Sequence, residues 1–165
     1  MSAELIKHEG QEVTVQFTVK LTGAIMDDEQ ALQQSLNEAG KVAMQPILEQ
    51  FDTDGEPIRV NGVKHTVRVR SPQTYETPYG PVSVERYVYQ TSKGGRVYVP
   101  LETDARMVLN STPRYAQIVS GKYTRFGADA ISEDLRECNG RALSRNYAKK
   151  LSDFVGSIAQ CHESQ

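Results

Sequence analysis

The residues best suited to chemistry lie near the C-terminal end, where arginine, lysine and asparagine follow a glycine. The six candidates are Arg141, Ser144, Arg145, Asn146, Lys149 and Lys150. Arginine can make two hydrogen bonds to guanine and asparagine two to adenine, whereas lysine tends to hold phosphate groups. The start of a helix adds backbone N–H donors for a further phosphate. This combination predicts a site for double-stranded DNA, although basic residues on an exposed helix are usually only solvated.

A helix–turn–helix would bring these side chains to a groove of the duplex. Ile131 and Leu135, four residues apart, indicate a short helix over 128–138, and Asn139-Gly140 is typical of a helix end with a left-handed glycine. Ser144 can cap a second helix, which we expect to place its basic face in the major groove. Any antiparallel helix pair with a glycine turn shares this pattern, so a purely structural interpretation stays open.

Short β segments with basic residues precede these helices. Asn61-Gly62 is a strong two-residue hairpin signal, and further turns are predicted at 77–80 and 92–95. Apolar and polar residues alternate between the turns, which indicates an antiparallel ribbon or meander of three or four strands. Four of its cations are expected to contact the DNA backbone: Arg68, Arg70, Lys93 and Arg96. Arg86 is a further candidate for the same surface.

The remaining elements complete an α+β protein with a strand and a helix at its N-terminus. Residues 13–21 alternate strictly and predict a half-buried strand. A helix begins near Asp27 or Asp28 and contains Pro46. Its apolar positions, expected to face the core, are Leu32, Leu36, Ala39, Ala43, Ile47 and Leu48. Ser111-Thr112-Pro113 starts a helix that ends at Gly127. We place an α+β region in residues 1–105 and a helical, helix–turn–helix region in residues 106–165.

Charge is segregated along the 165 residues, although the net charge is only −2. Residues 1–57 hold three basic and eleven acidic residues, 58–98 hold seven and two, and 106–150 hold nine and four. Such asymmetry favours a polyanionic partner. The sequence contains no apolar run long enough to span a membrane and no secretory signal pattern. Cys138 and Cys161 lack metal-ligand spacing, so we expect a cytoplasmic protein without cofactor or metal.

The order of several short motifs resembles the N-terminal region of bacterial insertion-sequence transposases of the ISKra group. The resemblance extends over residues 28–160. The motifs lie at residues 31–40, 51–58, 74–90, 100–106 and 111–114, and the glycine-bearing helix pair follows them.

The resemblance implies a DNA-binding region that precedes an RNase H-like catalytic core. In that core two aspartates and a glutamate hold divalent metal ions for phosphodiester chemistry. The sequence ends at Gln165 and contains no such core. The resemblance therefore implies recognition of mobile-element ends without catalysis, with a catalytic transposase chain or a second copy as further partners.

Two other functions stay open at this point. The acidic first helix and the β ribbon would form a dimer or partner surface in a protein-interaction module that does not bind nucleic acid. A metal-dependent nuclease would use Asp52 and Asp54, but a third carboxylate on a paired strand is not evident. The spacing also fails an EF-hand, because Val63 stands where its final glutamate is needed.

Overall fold

The computed structural model describes residues 3–163, with the side chains of residues 3–161. The last two residues of the predicted helical region therefore lie outside the described part. The fold is α+β, with two antiparallel sheets and a helical C-terminal region. Its elements are β1 (Ala3–Glu9), β2 (Glu12–Phe17), α1 (Ile25–Glu49), β3 (Ile58–Val60), β4 (Val63–Thr77), β5 (Gly80–Thr91), β6 (Gly94–Tyr98), α2 (Pro100–Asp104), α3 (Pro113–Asn139) and α4 (Arg145–Glu163).

The N-terminal hairpin pairs β1 with β2 and packs against α1. The sequence predicted a strand over 13–21, but β2 ends at Phe17, and β1 was not predicted. A register shift between Leu5 and Lys7 explains the omission, because it interrupts the alternation that marks a strand. Gln50, just after α1, donates a side-chain hydrogen bond to the Gly10 carbonyl in the hairpin turn.

The second sheet has the strand order β3-β4-β5-β6 and confirms the predicted meander. Asn61-Gly62 joins β3 to β4, with positive φ angles of 51° and 79°. The longest pairing, β4 with β5, runs from Thr66–Gln90 to Thr77–Gly80 and carries a register shift at Arg68. The turns at both ends of β5 lie within the two predicted segments.

One face of the β4–β5 ribbon packs on the second half of α1 and on α2. The buried cluster consists of Leu48, Tyr75, Val82, Val84 and Leu101. Leu48 is buried in this core, as expected. The same expectation is wrong for Leu32, Leu36 and Ile47, because they lie on a different side of α1 and are exposed.

The C-terminal region folds into three helical segments around a second buried cluster. Gly127 interrupts α3 with φ 74° and ψ −175°, a conformation close to glycine-only, so α3 consists of segments 113–126 and 128–139. Val119, Ile131 and Leu135 of α3 pack with Ala148 and Leu151 of α4. The predicted helix ends at Gly127 and Gly140 are therefore both present. No helix within residues 3–163 combines the length and the apolar character that a bilayer crossing needs.

Candidate nucleic-acid interface

The turn between α3 and α4 is built from local backbone interactions. Gly140 adopts the left-handed conformation at φ 61°, and its N–H donates to the Arg136 carbonyl at 3.1 Å. The N–H of Arg141 donates to the Leu135 carbonyl, also at 3.1 Å. These two bonds satisfy carbonyls that the helix end leaves unpaired. The chain therefore turns sharply after Asn139 instead of continuing the helix.

Ser144 starts α4 in the predicted way. Its hydroxyl accepts a hydrogen bond from the Tyr147 N–H at 3.2 Å, and its carbonyl accepts one from the Ala148 N–H at 3.0 Å. This is the geometry of a helix N-cap. The Ser132 hydroxyl donates to the Leu143 carbonyl at 3.0 Å, which links the turn to the preceding helical segment. The first turn of α4 is thus fixed relative to α3.

Four of the predicted DNA-binding residues lie exposed on the first two turns of α4. They are Arg145, Asn146, Lys149 and Lys150. Arg145 forms an ion pair with Asp129 at 2.8 Å, and both side chains are exposed. Water screens an exposed pair of this kind, which contributes little and exchanges readily for another anion. The side chains of the other three have no hydrogen-bond or ion-pair partner in the described part of the chain.

Arg141 is placed differently from the prediction. Its side chain is 7 % exposed, and its guanidinium donates from Nε to the Thr77 carbonyl at 3.1 Å and forms an ion pair with Glu76. It also lies over the Tyr115 ring, 5.0 Å from the centroid. A buried guanidinium with these partners cannot reach a groove or a phosphate. The expectation that Arg141 enters or flanks the major groove is therefore corrected: this residue anchors the turn to the sheet.

Two tyrosines surround this anchor. Burial raises the pKa of the Tyr115 phenol to about 12, and the nearby Arg141 charge opposes that rise in part. Its hydroxyl has no hydrogen-bond partner among the described residues. The Tyr147 hydroxyl, whose pKa is also raised by burial, donates to the Leu109 carbonyl at 2.9 Å. Both rings therefore serve the packing of α3 and α4.

The predicted cations of the sheet form a second, separate group. Arg68 lies exposed at the β4 register shift, Lys93 in the β5–β6 turn and Arg96 on β6. Arg70 is also exposed, and it contacts Glu85 at 3.7 Å and the Tyr87 ring at 5.2 Å. Arg68 precedes Thr77, where Arg141 is anchored, by nine strand residues, or about 30 Å. The structure therefore does not bring the two groups into one compact site.

Arg86, the further candidate on the ribbon, is largely buried. Its guanidinium bonds to the Ser71 hydroxyl at 2.6 Å and to the Tyr75 hydroxyl at 3.1 Å, and it lies 3.5 Å from Glu102. Tyr75 in turn donates to Glu102 at 2.7 Å, and burial raises the pKa of its phenol. This network joins β4, β5 and α2, so the expectation of a phosphate contact for Arg86 is also corrected.

The sequence interpretation missed a basic groove along the first segment of α3. Its lining residues are Arg114, Gln117, Ile118, Gly121, Lys122 and Arg125. Arg114 and Arg125 are exposed, whereas Lys122 is held by Asp134 of the second segment. The three- and four-residue spacing of these positions is the signal that marks one helix face.

The acidic pair considered for metal binding has structural partners. Asp52 accepts hydrogen bonds from the Tyr87 N–H at 3.0 Å and from the Thr53 N–H at 2.9 Å. Asp54 accepts one from the Glu56 N–H at 3.0 Å. These bonds fix the loop after α1 against β5. Within the described residues, no group of three or more metal-ligating side chains is brought together.

No protein-family model matches the sequence, and no curated protein matches it significantly.

Proposed function

We propose that this chain is a sequence-specific DNA-binding protein, and that it recognises the ends of a mobile element as the non-catalytic part of a transposase. The proposal includes a place in the cytoplasm, where such DNA is accessible. The observation that carries it is the exposed first turns of α4, where Arg145, Asn146, Lys149 and Lys150 project from a rigidly held helix. The resemblance to ISKra-group transposases supports the mobile element as the target.

The chemistry of this face suits direct readout of bases. Arg145 and Asn146 are one residue apart and can address neighbouring bases, while Lys149 lies one turn further along the helix. Asp129 holds Arg145 through an exposed ion pair, which a guanine edge can replace at small cost. The N-cap at Ser144 leaves the positive end of the helix dipole beside the same residues.

Basic residues beyond α4 extend this surface along a duplex. About 30 Å separate Arg68 from the anchor at Thr77, and one turn of B-DNA measures about 34 Å. We therefore infer that Arg68, Lys93 and Arg96 contact phosphates roughly one turn away from the bases that α4 reads. Phosphate contacts of this kind set register and orientation rather than sequence preference.

The test is a binding titration of the whole chain. Duplexes enriched from a random library serve as the cognate site, and fluorescence anisotropy is measured at two salt concentrations. Arg145→Ala should weaken cognate binding by about 1–3 kcal/mol and relax base preference, whereas Lys93→Ala should weaken all duplexes evenly and reduce the salt slope by about 0.9. Lys20→Ala, an exposed cation in the acidic N-terminal third, is the matched control and should change neither.

The result that contradicts the proposal is binding without salt dependence, or no binding at all. Salt dependence is unavoidable when several phosphates are neutralised, because each contact releases counterions. A protein-interaction module that does not bind nucleic acid predicts the absence of any such effect. Equal affinities of wild type, Arg145→Ala and Lys93→Ala for every duplex would show that these residues are wrongly assigned.

A further inference from the structure

The apolar stripe of α1 is a helix face that the described residues leave uncovered. The stripe consists of Ile25, Leu32, Leu36, Ala39, Ala43 and Ile47. From Leu32 onward, successive members are three or four residues apart, and Ile25 lies seven residues before Leu32. These spacings place all six residues on one helix face. Leu32, Leu36 and Ile47 are 44 %, 45 % and 38 % exposed. The stripe is therefore as regular as a buried helix face but points to solvent.

The other two sides of α1 already have partners. Met44 and Leu48 pack on the sheet, and Asn37 donates to the Asn139 carbonyl at 3.0 Å. Ala31 and Ser35 line the groove toward the β1–β2 hairpin. The stripe lies between these two sides, on the part of the helix that faces away from both. Neither the sheet nor the hairpin can cover it without breaking contacts that it already makes.

We propose that a second copy of this chain covers the stripe, and that the two α1 helices pair antiparallel about a two-fold axis near Ala39. This goes beyond the proposed DNA binding and does not rest on it. From Ile25 to Ile47 the stripe is about 33 Å long. An isologous contact between identical faces is the commonest way in which soluble proteins associate.

The exposed area of the molecule supports a second copy. A compact monomer of 18.4 kDa exposes about 8,200 Å², whereas this chain exposes 10936 Å². A stable interface of standard size removes about 800 Å² from each partner. The excess of about 2,700 Å² is larger than the area that one such interface removes from each partner, and the extended hairpins contribute to it.

Charge and side-chain size favour the antiparallel orientation. About an axis between Ala39 and Gly40, Leu36 of one copy faces the small side chain of Ala43 of the other, and Leu32 faces the aliphatic side chain of Ile47. A parallel pair would instead bring the acidic run Asp27-Asp28-Glu29 of both copies together. The stripe carries no charge between Leu32 and Ile47, so identical faces do not repel each other.

The first experiment measures the mass of the full chain by light scattering after size exclusion. Wild type is expected at twice 18.4 kDa, and the double variant Leu32→Glu/Leu36→Glu at 18.4 kDa. Val63→Glu, a similar change at a residue 52 % exposed on the sheet, should remain dimeric. Circular dichroism should report an unchanged helix content, because the altered side chains are already exposed. A monomeric wild type, or a double variant that stays dimeric, overturns the proposal.

The second experiment tests the orientation by disulfide cross-linking. The exposed Cys138 and Cys161 are first replaced by serine. In an antiparallel pair, Leu36→Cys/Ala43→Cys and Ala39→Cys should each give a covalent dimer, whereas Leu36→Cys alone should not. Efficient cross-linking of Leu36→Cys alone would indicate a parallel pair and overturn the proposed arrangement. Binding of DNA is not needed for either readout, so failure here leaves the DNA-binding proposal unaffected.

Discussion

Arg141 provides the sharpest test of how the helical region is held. Replacing it with methionine keeps much of the side-chain volume but removes the guanidinium. The change deletes the hydrogen bond to the Thr77 carbonyl at 3.1 Å, the ion pair with Glu76 and the contact over the Tyr115 ring. Glu76 then keeps its charge without its partner in a site where it is only about one-third exposed.

The expected loss of stability follows from these contacts. A hydrogen bond to a charged group contributes about 1.5–3 kcal/mol, and a cation–π contact about 0.5–2 kcal/mol. Removing one partner of a buried ion pair lowers the free energy of unfolding by about 3–5 kcal/mol. Because Glu76 is partly exposed, we expect a value near the lower end of that range. We therefore expect Arg141→Met to lose about 3 kcal/mol in the free energy of unfolding. For a chain of this size that corresponds to a drop of about 6–12 °C in Tm.

Urea denaturation followed by far-UV circular dichroism measures the loss. Glu76→Gln serves as the partner variant, and adding it to Arg141→Met should recover part of the stability, because the unpaired charge disappears. The salt slope of DNA binding should be unchanged in folded Arg141→Met, since the residue touches no phosphate. A loss below about 0.5 kcal/mol, the size of an ordinary surface substitution, would refute this reasoning. A reduced salt slope would refute the placement of Arg141 away from the duplex.

Three further predictions concern the same region. Gly127→Ala should lower the free energy of unfolding by about 1–3 kcal/mol, measured by urea denaturation, because φ 74° and ψ −175° strain any residue that has a side chain. Gly121→Ala is the control and should be neutral or stabilising, because Gly121 lies inside the helix with open space at its Cβ position. Ser144→Ala should lower the free energy of unfolding by about 0.5–2 kcal/mol, because the N-cap hydrogen bond is lost. Ser144→Asp can cap the helix again and should keep the wild-type stability in the same assay. The Tyr115 pKa is raised from 10.0 to about 12, so folding favours the protonated phenol; its contribution to stability is complete below pH 10 and is lost as the pH rises from 10 to 12. A pH series of wild type against Tyr115→Phe should show the steeper alkaline loss in wild type, and parallel curves would contradict the assigned pKa.

Local signals in the sequence predicted local structure well. The hairpin at Asn61-Gly62, the helix start at Pro113 and the left-handed stop at Gly140 depend on the conformations of a few neighbouring residues. The end of the first helical segment at Gly127 belongs to the same class. These features need no knowledge of distant partners, so the residue types alone were sufficient.

Features that depend on distant partners were not predictable in the same way. The partner of Arg141, Glu76, lies 65 residues earlier, and no spacing rule connects them. The local sequence does not distinguish Arg141 from its basic neighbours Arg145 and Lys149, yet Arg141 is buried and the other two are exposed. The stripe of α1 shows the same limit, because a 3.6-residue period identifies an apolar face and does not say what covers it. Leu36 and Leu48 were therefore both assigned to the core, but Leu48 is buried there and Leu36 is exposed.

The β1–β2 hairpin is attached to the fold mainly through α1, so it can open while the rest of the molecule stays folded. It is a two-stranded unit, it pairs with neither edge of the larger sheet, and α1 is its main packing partner. Two strands alone are marginal in water, so the hairpin depends on α1 for its order. Its amides should therefore exchange with solvent through partial opening, at a lower free energy than the amides of the β4–β5 ribbon. The hairpin at the acidic end of the fold thus opens more easily than the β4–β5 ribbon, and the basic helices keep their geometry while it opens.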